Sequence, residues 1–137
     1  MPESSLAHTV WDCTYHVVWT PKYRRRVLFG QCRRQLTDIL RELADKKPGV
    51  EIVQGAMCPD HVHLCLRIPP KYSVSNIMGY LKGKSAMELA QRIPEQRRNR
   101  EKEKSFWARG CYVSTVGMNE AVIRKHIRQQ QKADMME

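Results

Sequence analysis

The run Cys58-Pro59-Asp60-His61-Val62-His63-Leu64-Cys65-Leu66 constrains the fold more than any other segment of this 137-residue chain. Cys58-Pro59-Asp60 reads as a turn, with an apolar run directly behind it. Val50 to Met57 and His61 to Ile68 are then two strands joined by that turn, hence an antiparallel hairpin. Residues two apart on a strand share a face. His61 and His63 therefore project together, with Cys65 and Arg67 following, while Val62, Leu64 and Leu66 point into the core. Two imidazoles side by side on an open sheet face form half of a divalent metal site. A pair of strand histidines that merely hydrogen-bond locally is the competing reading of so short a motif.

The remaining elements follow from apolar periodicity. Thr9 to Thr20 alternates, with Trp11, Cys13, Tyr15, Val17 and Trp19 on one face and Thr14, His16 and Val18 on the other, and Pro21 stops the strand. Leu36, Ile39, Leu40, Leu43 and Ala44 recur at helical spacing from about Cys32 to Lys47, before Pro48-Gly49. Ser73 is the expected N-cap of a second helix reaching Arg92, with Ile77, Leu81, Ser85 and Leu89 along one stripe. Cys111 to Val116 is a further strand broken by Gly117, and Asn119 caps a last helix carrying Val122, Ile123 and Ile127.

The order βαββαβ predicts an α+β fold, a ferredoxin-like (RRM-like) antiparallel sheet with an extra C-terminal helix. Its first and third strands are central neighbours, so His16 is expected on the open face beside His61 and His63. One sheet face carries the two helices and the other is left for a ligand. The whole chain, 1–137, reads as a single domain with its core at about 9–116, a hinge at 117–118 and a C-terminal helix over 119–132. Pro94 to Ser105 is charge-dense and lacks apolar periodicity, which reads as a solvated loop, with a phosphate-contacting arm as the functional alternative.

The formal net charge of +10 favours a polyanionic partner, nucleic acid before an anionic membrane surface. No stretch approaches the roughly 18–20 apolar residues of a membrane span, and Met1 to Ala7 lacks the basic start and apolar core of a signal peptide. Cys13, Cys32, Cys58, Cys65 and Cys111 form no C-x-x-C pair and sit mostly in apolar patterns, so they read as reduced core residues of a cytoplasmic protein.

Several strings occur in a telling order: Tyr15-His16-Val17-Val18-Trp19-Thr20-Pro21-Lys22-Tyr23-Arg24, Pro59-Asp60-His61-Val62-His63-Leu64, Leu81-Lys82-Gly83-Lys84-Ser85-Ala86, and Arg109 to Gly117. With Ile123-Arg124-Lys125 and Gln130 they resemble the single-tyrosine HUH transposases of small bacterial and archaeal insertion sequences, over nearly the whole chain from about Val10 to Gln131. The resemblance implies a DNA transposase that nicks and rejoins single-stranded DNA through a covalent protein–DNA intermediate. It implies a divalent metal, Mg²⁺ or Mn²⁺, held by His61, His63 and Gln130. It also implies a homodimer with composite active sites that recognises hairpins at the element's ends, the last helix docking against the partner's histidines.

The family's nucleophile is a tyrosine four residues before that glutamine, and here the position is His126. His126 and Gln130 still share a helix face. Several readings are open: an engineered or natural inactivating change, an imidazole nucleophile working through a phosphoramidate, or a histidine recruited to the metal shell. Tyr112 is a second nucleophile candidate only if its strand approaches the site, and otherwise a packing or base-stacking residue.

Lys22, Arg24, Arg25, Arg26, Arg33, Arg34, Arg41, Lys82, Lys84, Arg124, Lys125 and Arg128 are basic residues in clusters. Scattered cations are usually solvated surface, but clusters near Tyr23, Trp107 and Tyr112 fit phosphate contacts with base stacking. Of these, Lys22, Arg24, Arg25, Lys82, Lys84, Arg124, Lys125, Arg128 and Tyr112 are the DNA-binding candidates. Gly79 and Gly83 read as points of close helix–sheet or helix–DNA approach, and Gly117 as the hinge of the last helix. A non-catalytic binder of DNA or RNA hairpins is the alternative function. An unrelated metal enzyme or RRM-like module fits less well, because histidines stand where an RRM presents aromatics.

Affinity for hairpin-bearing single-stranded DNA is expected to exceed that for blunt duplex. Log affinity should fall against log salt with a slope of about −0.7 per phosphate contact. Titrations across a salt series measure both, and equal affinity for hairpin, duplex and unstructured strand at moderate salt would refute the expectation.

Overall fold

Strand-forming alternation and helical stripes resolve into nine short elements in a computed structural model that describes residues 4–6, 9–11, 13–95 and 105–116. Strands β1 (Ser4–Leu6) and β2 (Thr9–Trp11) form a two-stranded antiparallel sheet of their own. Then come β3 (Thr14–Trp19), a 3₁₀ turn (Lys22–Arg24), helix α1 (Gly30–Asp45), β4 (Glu51–Cys58), β5 (His61–Arg67), helix α2 (Val74–Arg92) and β6 (Tyr112–Val116). The main sheet has the order β4-β5-β3-β6, every pair antiparallel. With β1 and β2 set aside, this is the expected βαββαβ arrangement, its first and third strands paired at the centre.

The expected continuous strand over Thr9 to Thr20 divides in two. Its first part pairs with β1, whereas Thr14–Trp19 pairs with β5 and β6, so the change of partner ends one strand and starts the next. Nothing in the three residues Ser4–Leu6 announces a strand by periodicity.

The apolar stripes pack as their spacing requires. Leu36, Ile39, Leu40 and Leu43 of α1, and Ile77, Leu81 and Leu89 of α2, are buried with Val17, Trp19, Val62, Leu64 and Leu66 of the sheet. Helix α1 begins at Gly30, whose φ of 55° lies in the left-handed region that glycine tolerates. Burial of Cys32 in its first turn pushes the thiol up to about 11. At the far end, Gly49 has φ 89°, and a Cβ there would come within 2.9 Å of the Pro69 ring. Both turn geometry and space therefore require glycine. Helix α2 starts as expected: the Asn76 backbone N–H donates to Ser73 Oγ at 3.0 Å.

Three expectations need correction. Trp107 is a core residue and not a platform for bases, because it is buried edge-on against Trp19 and Phe106. Its indole N–H donates to the buried Ser85 Oγ at 3.0 Å, which gives the polar residue in the α2 stripe its purpose. Gly79 and Gly83 permit no close helix–sheet approach, since a Cβ at either would meet open space. The cysteines form no disulfide among the described residues, and only Cys32, Cys58 and Cys65 are core residues; Cys13 is half-buried and Cys111 exposed.

Leu66 is fully buried on the central strand β5. Leu66→Ala is expected to cost about 2–5 kcal/mol of unfolding free energy, the range for deleting a buried leucine side chain. Urea unfolding followed by circular dichroism measures it, and a loss below about 1 kcal/mol would mean that this core collapses around the cavity.

Candidate functional site

Strand register brings the histidines together. Val18 pairs with His63, and His16 pairs with Cys65, across the β3–β5 ladder. His16, His63 and Cys65 therefore lie on one sheet face, opposite Val17 and Leu64. His16 Nε2 and His63 Nδ1 lie 3.3 Å apart, with the rings stacked at 5.5 Å between centroids. The His61 ring meets His63 edge-on at 4.5 Å. The three imidazoles form one cluster, as the strand pattern predicts.

This face is less open than the alternation implies. Cys65 and Arg67 are buried, as is His61 at the end of the strand. Cys65 is a short side chain between His16 on β3 and Gln54 on β4, so longer neighbours shade it. Arg67 donates to Glu51 Oε2 at 3.0 Å, its partner across the β4–β5 ladder.

Asp60 has a role beyond the turn. Its Oδ1 lies 2.6 Å from His61 Nδ1, and Arg24 donates to its Oδ2 at 3.0 Å. An ionised carboxylate can only accept, so Nδ1 of His61 carries the proton and the ring's lone pair sits on Nε2. Desolvation raises the Asp60 carboxyl, but the hydrogen bond from His61 and the Arg24 guanidinium outweigh it and hold the group below its ordinary value. Arg24 reaches Asp60 from a turn where Tyr23 and Arg24 both adopt positive φ, 62° and 51°. Such backbone costs of order 1 kcal/mol per residue and persists only when surroundings impose it. Here the Lys22 N–H donates to the Phe106 carbonyl at 2.9 Å, and Pro21 bridges to Trp107.

The donor chemistry fits a divalent cation. A carboxylate behind one ring nitrogen fixes the tautomer and raises the basicity of the other nitrogen, as partners of metal-bound histidines commonly do. Imidazole donors suit Mn²⁺ and similar ions, and Mg²⁺ fits once substrate phosphates supply hard oxygens. Cys58 stands beside the pair: its sulfur and the donor nitrogens of His61 and His63 all lie within 4.8 Å of one another.

The described basic candidates lie in two places. Lys22, Arg24 and Arg25 are on the turn after β3, where Lys22 and Arg25 approach the face of the exposed Tyr23 ring at 5.5 and 6.0 Å. Lys82 and Lys84 are on α2. Lys82 Nζ donates to the carbonyls of Ala108 and Gly110 at 2.9 and 2.6 Å, so it fastens the approach to β6, and burial lowers its pKa. Tyr112 is exposed on β6, opposite Val18. His126, Gln130, Arg124, Lys125 and Arg128, with the hinge and last helix, lie outside the described residues. So do residues 96–104 of the charge-dense stretch.

Sequence reasoning missed Asp60 as the group orienting His61, and Cys58 as its neighbour. An acidic residue immediately before the first histidine was the available signal for one, and the hairpin register for the other. No helix among the described residues is long and apolar enough to cross a membrane.

The profile of the family described as Transposase IS200 like matches residues 9–130. A Salmonella typhimurium transposase for insertion sequence element IS200 is 49% identical over 98% of this chain and 87% of its own length. The ISDra2 transposase TnpA of Deinococcus radiodurans is 35% identical over 88% of this chain and 86% of its own. A crystal structure assigned as a transposase, from Deinococcus radiodurans R1, superposes with a TM-score of 0.75 at 28% identity, covering 93% of this chain and 97% of that one. A REP-associated tyrosine transposase bound to a REP hairpin shares the fold, with a TM-score of 0.61 at 17% identity over 90% of this chain and 68% of its own.

The Asp60 contact has a direct spectroscopic consequence. Long-range ¹H–¹⁵N correlation spectra of the metal-free protein near neutral pH should show His61 protonated on Nδ1, and Asp60→Asn should lose that preference. Protonation of His61 on Nε2 alone in the unmodified protein would exclude the orienting role.

Proposed function

The chain belongs to the IS200-like transposase family, and on that premise we propose that it nicks and rejoins single-stranded DNA at hairpin-marked element ends by metal-assisted transesterification. The observation that carries this reading is the imidazole cluster on β3 and β5, with Asp60 holding His61 in one tautomer. His61 and His63 would hold the divalent ion, Mg²⁺ or Mn²⁺, with Gln130 as the further protein ligand. Such an ion would supply Lewis-acid neutralisation of the phosphate's charge.

The chain's own residues do the rest. Asp60 keeps the proton on His61 Nδ1, so Nε2 would be the nitrogen that holds the ion. Lys22, Arg25, Lys84, Arg124, Lys125 and Arg128 neutralise the DNA backbone, and the net charge of +10 supports that role. Tyr112 offers an exposed ring on which an unpaired base can stack. Hairpin DNA is the proposed substrate, a ligand that the REP-associated transposase of the same fold also binds. The active site is proposed as composite within a homodimer, the last helix of one protomer meeting the histidines of its partner.

His126 decides the outcome of the chemistry. A tyrosine there would attack phosphorus through its phenolate and release a DNA 3′-hydroxyl, and the phosphotyrosyl ester stores the bond for a later hydroxyl to displace. Imidazole attack would leave a labile phosphoramidate, poorly suited to holding a strand end through recombination. The alternative reading that this residue raises is a hairpin-binding relative that retains DNA and metal contacts without strand transfer.

His126→Tyr is expected to yield a covalent protein–DNA band on denaturing gels with hairpin DNA and Mg²⁺ or Mn²⁺, where the unmodified chain yields none. Combining it with His61→Ala should remove the band. An adduct formed by the unmodified protein and lost in Tyr112→Phe would identify a different nucleophile. Cleavage by neither protein would leave the binding-only function.

A further inference from the structure

The β4–β5 hairpin places a sulfur where the transposase reading requires only nitrogen and oxygen donors. Cys58 and His61 are direct partners across the ladder, so their side chains share a face, and His63 follows two residues later opposite the small Ala56. The three donor atoms lie within 4.8 Å of one another. Cys58 is 1% exposed at the closed end of the hairpin, where Pro59-Asp60 limits its movement away from the histidines. His61 and His63 have orienting neighbours, Asp60 at 2.6 Å from His61 and His16 at 3.3 Å from His63.

We propose that Cys58 joins His61 and His63 as a third protein ligand, and that this Cys-His-His set takes a thiophilic divalent ion, Zn²⁺ or Co²⁺, in preference to Mg²⁺. The inference rests on the reading of His61 and His63 as metal ligands. Its physical basis is ligand softness: a thiolate binds Zn²⁺ and Co²⁺ well, whereas Mg²⁺ demands hard oxygen donors in octahedral array. Metal–sulfur and metal–nitrogen bonds of about 2.3 and 2.0 Å put tetrahedral donors roughly 3.3–3.7 Å apart. Side-chain rotations of about an ångström close the present cluster to that size. Ligation breaks the Cys58 S–H bond: sulfur keeps the electron pair for the metal bond, and the proton passes to the buffer. The three donors of the hairpin leave one tetrahedral position for a further ligand, and a thiophilic ion competes with Mg²⁺ for the same two histidines.

The test uses the full-length protein after chelation, titrated with Co²⁺. The expected result is a near-ultraviolet sulfur-to-cobalt charge-transfer band saturating at one equivalent per chain and abolished by added Zn²⁺. In Cys58→Ser the band should vanish while weaker visible d–d absorption persists, and Zn²⁺ affinity should fall by about tenfold or more. Visible bands without charge transfer in the unmodified protein would overturn the thiolate ligand and leave the two histidines standing. A band that survives Cys58→Ser would assign the sulfur to another cysteine, with the same effect on the proposal. Absence of Co²⁺ binding, or binding unchanged in His61→Ala, would remove the wider metal reading as well. Should Cys58→Ser fail to fold, the ¹¹³Cd chemical shift of the unmodified protein decides: a sulfur-ligated position is expected, and one typical of nitrogen and oxygen donors alone overturns the proposal.

Discussion

Pairing of β3 with β5 sets Val17 against Leu64 and Trp19 against Val62, and these four side chains form the floor on which both helices rest. A slip of one residue in that ladder would turn the apolar set outward and the imidazoles inward. Burial of the aliphatic set therefore does two things at once. It supplies much of the driving force for folding, and it leaves His16, His61 and His63 on the opposite face. Because β5 has a strand on each side, neither its register nor its twist can drift independently of β3 or β4. The histidines inherit that rigidity.

Beyond register, the site depends on a relay of contacts from the turn after β3. The segment Phe106 to Ala108 bonds to Thr20 and Lys22, which closes this turn from one side. Arg24 and Asp60 close it from the other. Unfavourable backbone at Tyr23 and Arg24 is tolerated because these contacts converge there, and the result is a carboxylate held against His61. Exposed ion pairs contribute little to stability by themselves. The significance of this one lies in orientation.

Period-two and helical patterns made β3, β5 and both helices legible, because each buries an apolar stripe in the core, whereas β6 buries none of its described side chains. The site histidines were legible for the same reason: His61 and His63 fall on the polar phase of β5, and topology adds His16. What escaped was information about partners. Trp107 lies in a stretch without periodicity, and its burial depends on Ser85 and Trp19, far away in the chain. Cys58 looks like any apolar-pattern cysteine until the hairpin register sets it opposite His61. Asp60 reads as turn chemistry, and only its distance to Nδ1 distinguishes it. The small β1–β2 sheet is too short for any pattern to establish.

The two borders of the charge-rich stretch after α2 are secured separately. On one side, Arg92 donates to Glu42 at 2.9 Å and Ile93 is buried. On the other, Trp107 bonds to Ser85 and Lys82 grips the Ala108 and Gly110 carbonyls. Each border thus has contacts of its own among the described residues. Between two anchored points, the closure entropy of a connecting segment rises only logarithmically, roughly 0.6 kcal/mol for each doubling in length. Folding thus exerts little selection on how many residues lie there, and insertions or deletions in this stretch are a route by which descendants of such a protein can diversify without disturbing the histidines.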